Sequence, residues 1–404
     1  MRTWIVAIAV ILVLQTTSAY LSRLVPIVSP AFMAEFGWDE SWIGYLTAAN
    51  IVGALFVLFA LVGLIQRLGS ILALQLSLIV GAAGLLLFHV PSLALALFAS
   101  ALIGLANGTA NPAGAEVLQR YTPDARRNFV FSIKQAGVPL GGVVAGLSIP
   151  PLVDAFGWRS ALVVAAGAAI LATALMLPFR SQIDEPRARA TRSSGFGLAD
   201  LAVPLRSLRT APGLMRVSVA GAVLAIAQAC WFTFAVTYAV VGLGLSLGVA
   251  GLVFAVMQGS GVFGRVMMGW IADNVASSTV TLACVAVAST AATVAFGLFR
   301  PDWPVWSLML LAAVAGASVS GWNGVQIAEV ARRSPRHLIG ETAAGSVILV
   351  FLSNMLAPIA FAAFVAATRR FDLAFIIAGA CSLLCLPLLW GIDRKTPGTP
   401  AESS

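Results

Sequence analysis

Charged residues are scarce in this chain. Asp, Glu, Lys and Arg make up 10% of its 404 residues, and 60% of the residues are hydrophobic. Soluble globular proteins carry about 25% charged residues, so the composition excludes a water-soluble domain as the main architecture. A membrane-spanning helix needs about 20 mostly apolar residues. The chain can therefore supply about twelve such helices, short loops and one longer connector.

Cysteine and histidine are also scarce, with four and two residues respectively. Cys230, Cys284, Cys381 and Cys385 all lie inside apolar runs, which favours small hydrophobic packing residues over metal ligands. The two histidines fall at predicted helix ends. These residues do not supply the ligands of a metal site or the members of a histidine-based catalytic triad. We therefore predict no enzyme activity, no metal site and no cofactor.

The net charge of +8 indicates how the chain is oriented in the membrane rather than binding to nucleic acid. Basic residues lie in short segments between apolar runs, not on one basic face with interleaved aromatics, so nucleic acid is not a predicted partner. With the N-terminus inside, seventeen basic residues fall in cytoplasmic segments and three within spans; four fall in outer segments, at Arg159, Arg300, Arg369 and Arg370. The positive-inside rule then predicts both termini in the cytoplasm, with the chain in the cell (inner) membrane and in contact with its lipid.

Twelve apolar runs are bounded by charges or by Pro and Gly clusters. They span residues 4–28, 43–65, 70–89, 92–117, 129–149, 160–179, 214–240, 247–271, 279–299, 304–329, 341–366 and 371–391. Backbone polar groups must be satisfied inside hydrocarbon, so these runs predict helices. The first run resembles a secretory signal, but it continues to Val28, and we interpret it as an uncleaved span.

The Arg-rich stretch from Arg180 to Arg209 has no long apolar run and divides the chain. The predicted fold is an all-α integral membrane protein of twelve transmembrane helices in two pseudo-symmetric six-helix halves. The predicted divisions are 1–180 for the N-terminal half, 181–213 for a cytoplasmic connector, 214–392 for the C-terminal half and 393–404 for a cytoplasmic tail.

Two loops after the second span of each half are alike. Residues 62–69 keep Arg67 and Gly69 but carry Gln66, and residues 269–274 keep Gly269 and Asp273. Both resemble the loop signature of the major facilitator superfamily, Gly-x-x-x-Asp-Arg-x-Gly-Arg-Arg. In the first copy Gln66 replaces the acid, and in the second the Arg is lost. The two copies occupy pseudo-equivalent places.

Further segments carry the same resemblance over nearly the whole chain. Residues 157–159 read Gly-Trp-Arg before the sixth span, and residues 104–112 are similar to the family's fourth-helix motif, with Ser100 in the place of its Arg. Asn107-Gly108 and Asn323-Gly324 recur in spans 4 and 10. Residues 137–142 resemble the Gly- and Pro-rich motif of the fifth helix.

The resemblance implies gating or structural roles for one set of residues. Small residues let helices approach closely, and a proline permits bending. Arg67 and Asp273 would make contacts that hold one gating state, or they would be solvated loop charges. The predicted gating and structural residues are Arg67, Gly69, Gly137, Pro139, Gly141, Gly142, Gly269 and Asp273.

The resemblance also implies that spans 1, 4, 7 and 10 line a central cavity, flanked by spans 2, 5, 8 and 11. Amides inside hydrocarbon need a partner or water, so both a wet cavity and helix–helix bonding remain open for the polar residues of these spans. The predicted substrate pathway consists of Gln15, Thr16, Tyr20, Arg23, Asn107, Asn111, Lys134, Gln135, Gln228, Trp231, Tyr238, Gln258, Arg265, Trp322, Asn323, Gln326 and Asn354.

Three of these residues are cations inside predicted spans, which marks a functional site by default. Arg23 and Lys134 lie roughly 10 Å from the midpoints of their spans, and either could instead reach an interface with its long side chain. Arg265 stands eight residues before Asp273. In monocarboxylate and oxalate carriers of the family an Arg on this helix holds carboxylate, so Arg265 is an anion ligand or a structural partner of the inner loop.

No Asp or Glu falls near the midpoint of a predicted span. Buried cations without acids favour an anionic ligand that neutralises them. The sequence therefore predicts a secondary transporter of a small organic anion, a mono- or dicarboxylate, working by alternating access with proton symport or anion exchange. The alternative is an efflux antiporter for apolar drugs or other small molecules. The resemblance of residues 137–142, which begin Gly-Val-Pro, to the fifth-helix motif often linked to antiporters supports it. An embedded enzyme, a sensor and a channel each lack their characteristic parts.

Overall fold

The computed structural model describes residues 3–123, 127–184 and 202–392, and this part of the chain contains helices and no strand. The helices are α1 Thr3–Phe36, α2 Trp42–Phe56, α3 Val62–Leu68, α4 Ser70–Leu87, α5 Leu93–Tyr121, α6 Arg127–Leu175, α7 Leu177–Ile183, α8 Ala202–Ser207, α9 Leu214–Thr237, α10 Leu247–Asn274, α11 Ser278–Gly297, α12 Val305–Val319, α13 Asn323–Arg333, α14 Ile339–Thr368, α15 Phe371–Cys381 and α16 Cys385–Leu389. Short π-helical segments, Val57–Leu61 and Tyr238–Gly242, follow α2 and α9. The predicted all-α class is confirmed.

The described chain has eleven helical stretches that are long and apolar enough to cross a membrane. One of them, α6, has 49 residues, which at 1.5 Å per residue is more than twice a hydrocarbon core of about 30 Å. Its backbone leaves helical geometry at Gly157, where φ is 76° and ψ is 160°. A positive φ of this kind suits glycine. The stretch thus contains two crossings, and the twelve predicted spans are accounted for.

The first helix is longer than predicted. It runs to Phe36 rather than residue 28, although Pro26 and Pro30 lie inside it. A proline leaves the carbonyl four residues earlier without its helical donor. The hydroxyl of Ser29 donates to the carbonyl of Pro26 at 3.1 Å and so replaces the donor that Pro30 lacks. Polar satisfaction of this kind lets the helix continue through the membrane.

The tenth predicted span is broken rather than continuous. It consists of α12 and α13, with residues 320–322 in a turn between them. A Cβ on Gly321 would collide with the carbonyl of Ala317, so this turn needs a residue without a side chain. Ser-Gly pairs are common sites of such breaks.

The connector holds more structure than the sequence predicted. The short helices α7 and α8 lie at its two ends, and α8 packs against α14. Residues 185–201 of the connector and the tail at 393–404 lie outside the described residues.

The two halves pack together at the end of the bundle that carries Asp39. We call this the Asp39 end; the opposite end, with Gly69 and Gly213, is the connector end. Near the Asp39 end α1 packs on α9, α2 on α14 and α6 on α10. A Cβ on Gly44 of α2 would collide with the carbonyl of Pro358, so the helices here approach at backbone distance.

The connector end is organised differently. The main packing partners of α3 and α7 belong to the N-terminal half, and those of α13 and α16 belong to the C-terminal half. The halves are therefore held together chiefly at the Asp39 end. In the orientation that the basic residues predict, the less connected end faces the cytoplasm.

An ion pair between Asp39 and Arg369 joins the halves at the Asp39 end. Burial tends to raise the pKa of the Asp39 carboxyl, but hydrogen bonds from Ser41 and the Arg369 guanidinium outweigh it and hold the pKa below its usual value. A lowered pKa stabilises the paired state above the ordinary Asp pKa, and this contribution is lost as the pH falls through the lowered value.

We expect Asp39→Asn to shift the population away from the closed Asp39 end. A partly exposed pair contributes at most about 1 kcal/mol, or about fivefold in population. Spin labels on cysteines at Glu40 and Thr368, in an otherwise cysteine-free chain, measure the distance distribution. Acidification of the parent should move the distribution the same way. Asp302→Asn is the matched control because Asp302 pairs with Arg300 within one half. Identical distributions for both variants and the parent would contradict the expectation.

Candidate functional site

Arg265 of α10 binds two backbone carbonyls that lack a helical donor. Its Nη1 donates to the carbonyl of Gln135 at 3.1 Å, and its Nε donates to the carbonyl of Ser320 at 3.2 Å. Gln135 lies four residues before Pro139, which has no N–H to offer. Ser320 lies in the turn between α12 and α13. The bond to Gln135 crosses from the C-terminal to the N-terminal half.

Several of the predicted pathway residues form hydrogen bonds to Ser320. Besides Arg265, the side-chain amide of Asn323 donates to the Ser320 carbonyl at 3.2 Å, and that of Gln228 donates to the Ser320 hydroxyl at 3.4 Å. The sequence interpretation missed Ser320. The available signal was the Ser-Gly pair at 320–321 inside an otherwise apolar span.

Arg23 of α1 lies near the middle of the bundle. Because α1 reaches Phe36, Arg23 is about 5 Å from the helix centre, not the 10 Å that the shorter predicted span gave. Its guanidinium carbon stacks 4.1 Å from the centre of the Phe232 ring, and its Nε is buried without a partner in the described residues. The side chain contacts the other half instead of reaching to an interface.

The guanidinium groups of Arg23 and Arg265 converge. Helical side chains lean toward the N-terminus of their helix, and α1 and α10 run in opposite directions between the two ends of the bundle. Arg23 thus leans toward the connector end and Arg265 toward the Asp39 end. Both α1 and α10 pack on the same stretch of α6, from Gly137 to Gly142. Two like charges face a common region near mid-bundle.

Lys134 of α6 is the third interior cation and is only 4% exposed. Its Nζ donates to the side-chain oxygen of Asn111 at 3.1 Å. Its aliphatic stem covers Gly114, where an added Cβ would come within 2.7 Å of the lysine Cε. The ammonium is therefore held inside the bundle by a neutral amide of α5.

None of these three cations pairs with a carboxylate among the described residues. The described ion pairs lie near the ends of the bundle, as between Glu35 and Arg159 at one end and Glu329 and Arg333 at the other. A buried charge is unfavourable unless it is paired. The region between Arg23 and Arg265 is thus positively charged and suited to an anion.

Two buried glutamines flank α6 on its glycine positions. Gln258 of α10 is 1% exposed, has no hydrogen-bond partner for either amide atom, and lies where a Cβ on Gly142 would collide with it. Gln15 of α1 is also 1% exposed and packs on Gly137. These glycines let α1 and α10 approach α6 from two sides.

The same helix contacts account for Thr16 and Tyr20. A Cβ on Gly141 would lie 2.6 Å from the Thr16 carbonyl and from the Tyr20 amide nitrogen, so both residues face α6. Asn107 and Asn354 are half-buried.

The remaining pathway residues bond within the C-terminal half. Trp231 donates to the Thr293 hydroxyl at 3.0 Å, and Tyr238 donates to the Gly297 carbonyl at 3.2 Å, within one aromatic cluster. No hydrogen bond or ring contact joins these side chains to Arg23 or Arg265 in the described residues. The same is true of Trp322, which donates to Val319, and of Gln326, which donates to Ser346.

The first signature loop recruits an acid from a distant segment. Asp184, directly after α7, accepts hydrogen bonds from the backbone N–H groups of Ile71 and Leu72 at 3.0 and 2.9 Å, at the start of α4. It lies against Gly69, whose φ is 94°. No local sequence signal indicates this contact, because more than 100 residues separate its partners.

The charged members of the two signature loops are exposed. Arg67 and Asp273 have no polar partner among the described residues, and nothing packs on Gly269. Their predicted gating contacts are not formed in this conformation and remain predictions for another one.

Known proteins similar to this chain are membrane transporters. An uncharacterised MFS-type transporter of Mycobacterium tuberculosis is 24% identical over 286 residues, covering 71% of this chain and 62% of that protein. The 4-hydroxybenzoate transporter PcaK of Pseudomonas aeruginosa is 26% identical over 283 residues, covering 61% of each. The matches thus span about three fifths of these relatives' length.

Solved structures share the fold over almost the whole chain. A bacterial homolog of the human lysosomal transporter Spinster superposes with a TM-score of 0.77 at 14% identity, covering 98% of this chain and 100% of that one. The nucleoside transporter NupG gives a TM-score of 0.75 at 14% identity, with 96% and 100% covered.

The family assignment rests on a model of the whole superfamily. The Major Facilitator Superfamily model matches residues 6–358, which include most of both halves and all three interior cations. The fold, the broken helices and the transporter relatives agree with that match. The chain belongs to the Major Facilitator Superfamily of membrane transporters.

Proposed function

We propose that this protein carries a small organic anion, a mono- or dicarboxylate, across the cell's inner membrane by alternating access. The observation that carries the proposal is the pair of interior guanidinium groups, Arg23 and Arg265, which lean toward one region of the bundle without a described carboxylate between them. Both termini would lie in the cytoplasm, and transport would be coupled to protons or to a second anion.

A carboxylate fits the chemistry of this pair. Guanidinium groups bind carboxylates through parallel, charge-assisted hydrogen bonds, and the buried Nε of Arg23 has no partner in the described residues. A bound anion would also remove the repulsion between the two cations. The ring of Phe232 beside Arg23 offers an apolar surface for the rest of an aromatic acid.

One relative supports the same class of substrate. The name of PcaK, 4-hydroxybenzoate transporter, denotes an aromatic carboxylate. At 26% identity this similarity suggests a first substrate to test rather than an assignment. The arrangement of the two halves, joined at one end, suits a carrier that rocks around a central site.

Replacing Arg23 tests the proposal most directly, because its guanidinium holds no backbone group of the described residues. We expect Arg23→Gln to weaken 4-hydroxybenzoate binding by about 10- to 150-fold, the loss of one hydrogen bond to a charged group. Arg23→Lys should retain part of the affinity. Ligand-induced thermal stabilisation of the purified protein and uptake into proteoliposomes measure the effect.

The matched control is Arg300→Gln, which removes an exposed cation at the Asp39 end. It should bind and transport as the parent does. Equal carboxylate uptake by Arg23→Gln and the parent would rule out Arg23 as an anion ligand.

Arg265 is expected to give a mixed result because it also holds Gln135 and Ser320. Arg265→Ala should reduce transport and also lower the midpoint of thermal unfolding, since it leaves carbonyls of both halves unbonded. Arg265→Lys keeps the charge, but a single ammonium lacks the planar fork that reaches both carbonyls. If Arg265→Ala abolished transport with an unchanged midpoint, the structural role would be wrong.

The alternative function, efflux of apolar drugs, predicts the opposite pattern. A pump of that kind does not need the charge of Arg23, so dye efflux from inverted vesicles would survive in Arg23→Gln. A stabilisation screen with benzoates, dicarboxylates and uncharged drugs separates the two classes. Stabilisation by drugs alone would favour the alternative.

A further inference from the structure

Lys134 differs from the other interior cations in one chemical respect. An ammonium inside a protein can release its proton, whereas a guanidinium stays protonated. The described acids lie toward the ends of their spans, and so do both histidines. Among the described residues, Lys134 is therefore the interior group best suited to change charge during a transport cycle.

The surroundings of Lys134 are neutral. Its ammonium bonds to the side chain and, at 3.5 Å, to the backbone carbonyl of Asn111. Gly114 of α5 lies against the stem, and Ile11 of α1 approaches the same glycine. An amide stabilises the charged form less than a carboxylate does, so the neutral amine remains accessible.

The charged groups of the helices packed around this part of α6 are few. They are Arg23 on α1, Glu116 and Arg120 on α5, and Arg265 and Asp273 on α10. Glu116 pairs with Arg120 and accepts a hydrogen bond from Ser70, and Asp273 is exposed. Neither acid forms an ion pair with Lys134.

The partner of the ammonium lies at the surface of the bundle. Asn111 is exposed, whereas Lys134 itself is buried. Its neighbour in sequence, Gln135, holds Arg265. The α6–α10 contact at Gln135 thus lies in the helix turn that carries Lys134.

We propose that Lys134 carries the coupled proton, so that the protein is a carboxylate–proton symporter. Lys134 Nζ is protonated while the carboxylate is bound. After the carboxylate leaves, the ammonium gives one proton to water on the same side and returns as the neutral amine. It takes up a proton on the other side before the next carboxylate binds. This inference rests on the proposed function.

The charge balance of the interior supports the proposal. With a carboxylate bound, three cations and one anion give a net charge of two. Without substrate, a neutral Lys134 leaves two guanidinium groups and the same net charge. If Lys134 stayed charged, the empty carrier would hold three unpaired cations in a low dielectric, which is strongly unfavourable. Release of the proton lets the empty carrier return.

The test compares exchange with proton-driven accumulation in proteoliposomes, using radiolabelled 4-hydroxybenzoate. Exchange of internal for external substrate requires only that the substrate-loaded carrier changes between its two conformations. A pH gradient of one unit can drive accumulation of about tenfold at one proton per carboxylate. We expect the parent to do both, with an internal pH dye reporting one proton per substrate. Lys134→Arg should still exchange internal for external substrate. It should not accumulate substrate above the external concentration.

A second variant leaves the lysine in place. Asn111→Asp puts a carboxylate beside the ammonium and holds it charged, so it should also exchange without accumulating. The Asn111→Asp variant tests the proposal if Lys134→Arg does not fold. Arg300→Gln should behave as the parent in both assays.

Two results would overturn the proposal: tenfold accumulation by Lys134→Arg or Asn111→Asp, or a parent that exchanges substrate without moving protons. Failure of the proposed function looks different. In that case the parent neither binds nor exchanges any carboxylate, and proton coupling of Lys134 falls with it.

Discussion

Two of the contacts between the halves of this protein involve a backbone carbonyl that a proline leaves without its helical donor. Pro139 frees Gln135, which receives Arg265 from the other half. In α1, Ser29 bonds the carbonyl freed by Pro30 and also contacts Thr237 of α9 at 3.2 Å. Each bond contributes about 0.5–1.5 kcal/mol. Contacts of this strength hold one conformation and still break within a transport cycle.

The sequence left two roles open for Arg265, and the geometry makes them compatible. A guanidinium has five N–H donors, and the described hydrogen bonds use two of them, one for Gln135 and one for Ser320. Three donors remain, more than a carboxylate needs for a two-point contact. A substrate bound to Arg265 would use the same side chain that joins the two halves. A ligand that binds one conformation better than another shifts the population toward it, so this sharing links substrate binding to opening.

Much of the architecture was predictable because lipid imposes it locally. Each span needs an apolar run of fixed minimum length, so all twelve crossings could be predicted from the apolar runs along the chain. What the sequence did not reveal depends on distant partners. The length of α1 depends on Ser29 replacing a donor, the break at Ser320 is held by Arg265, and Asp184 reaches the start of α4 from a distant segment. The three interior cations were found as a set, but their directions and neighbours needed the packed helices.

The uncompensated charge at the centre also shapes the empty carrier. Without an anion, Arg23 and Arg265 repel each other, and the ring of Phe232 offsets part of that cost by about 0.5–2 kcal/mol through a cation–π contact. Closing a dry bundle around two unpaired cations lowers the local dielectric and strengthens their repulsion. A bound carboxylate reverses the sign of this term, so closure is easier with substrate than without it.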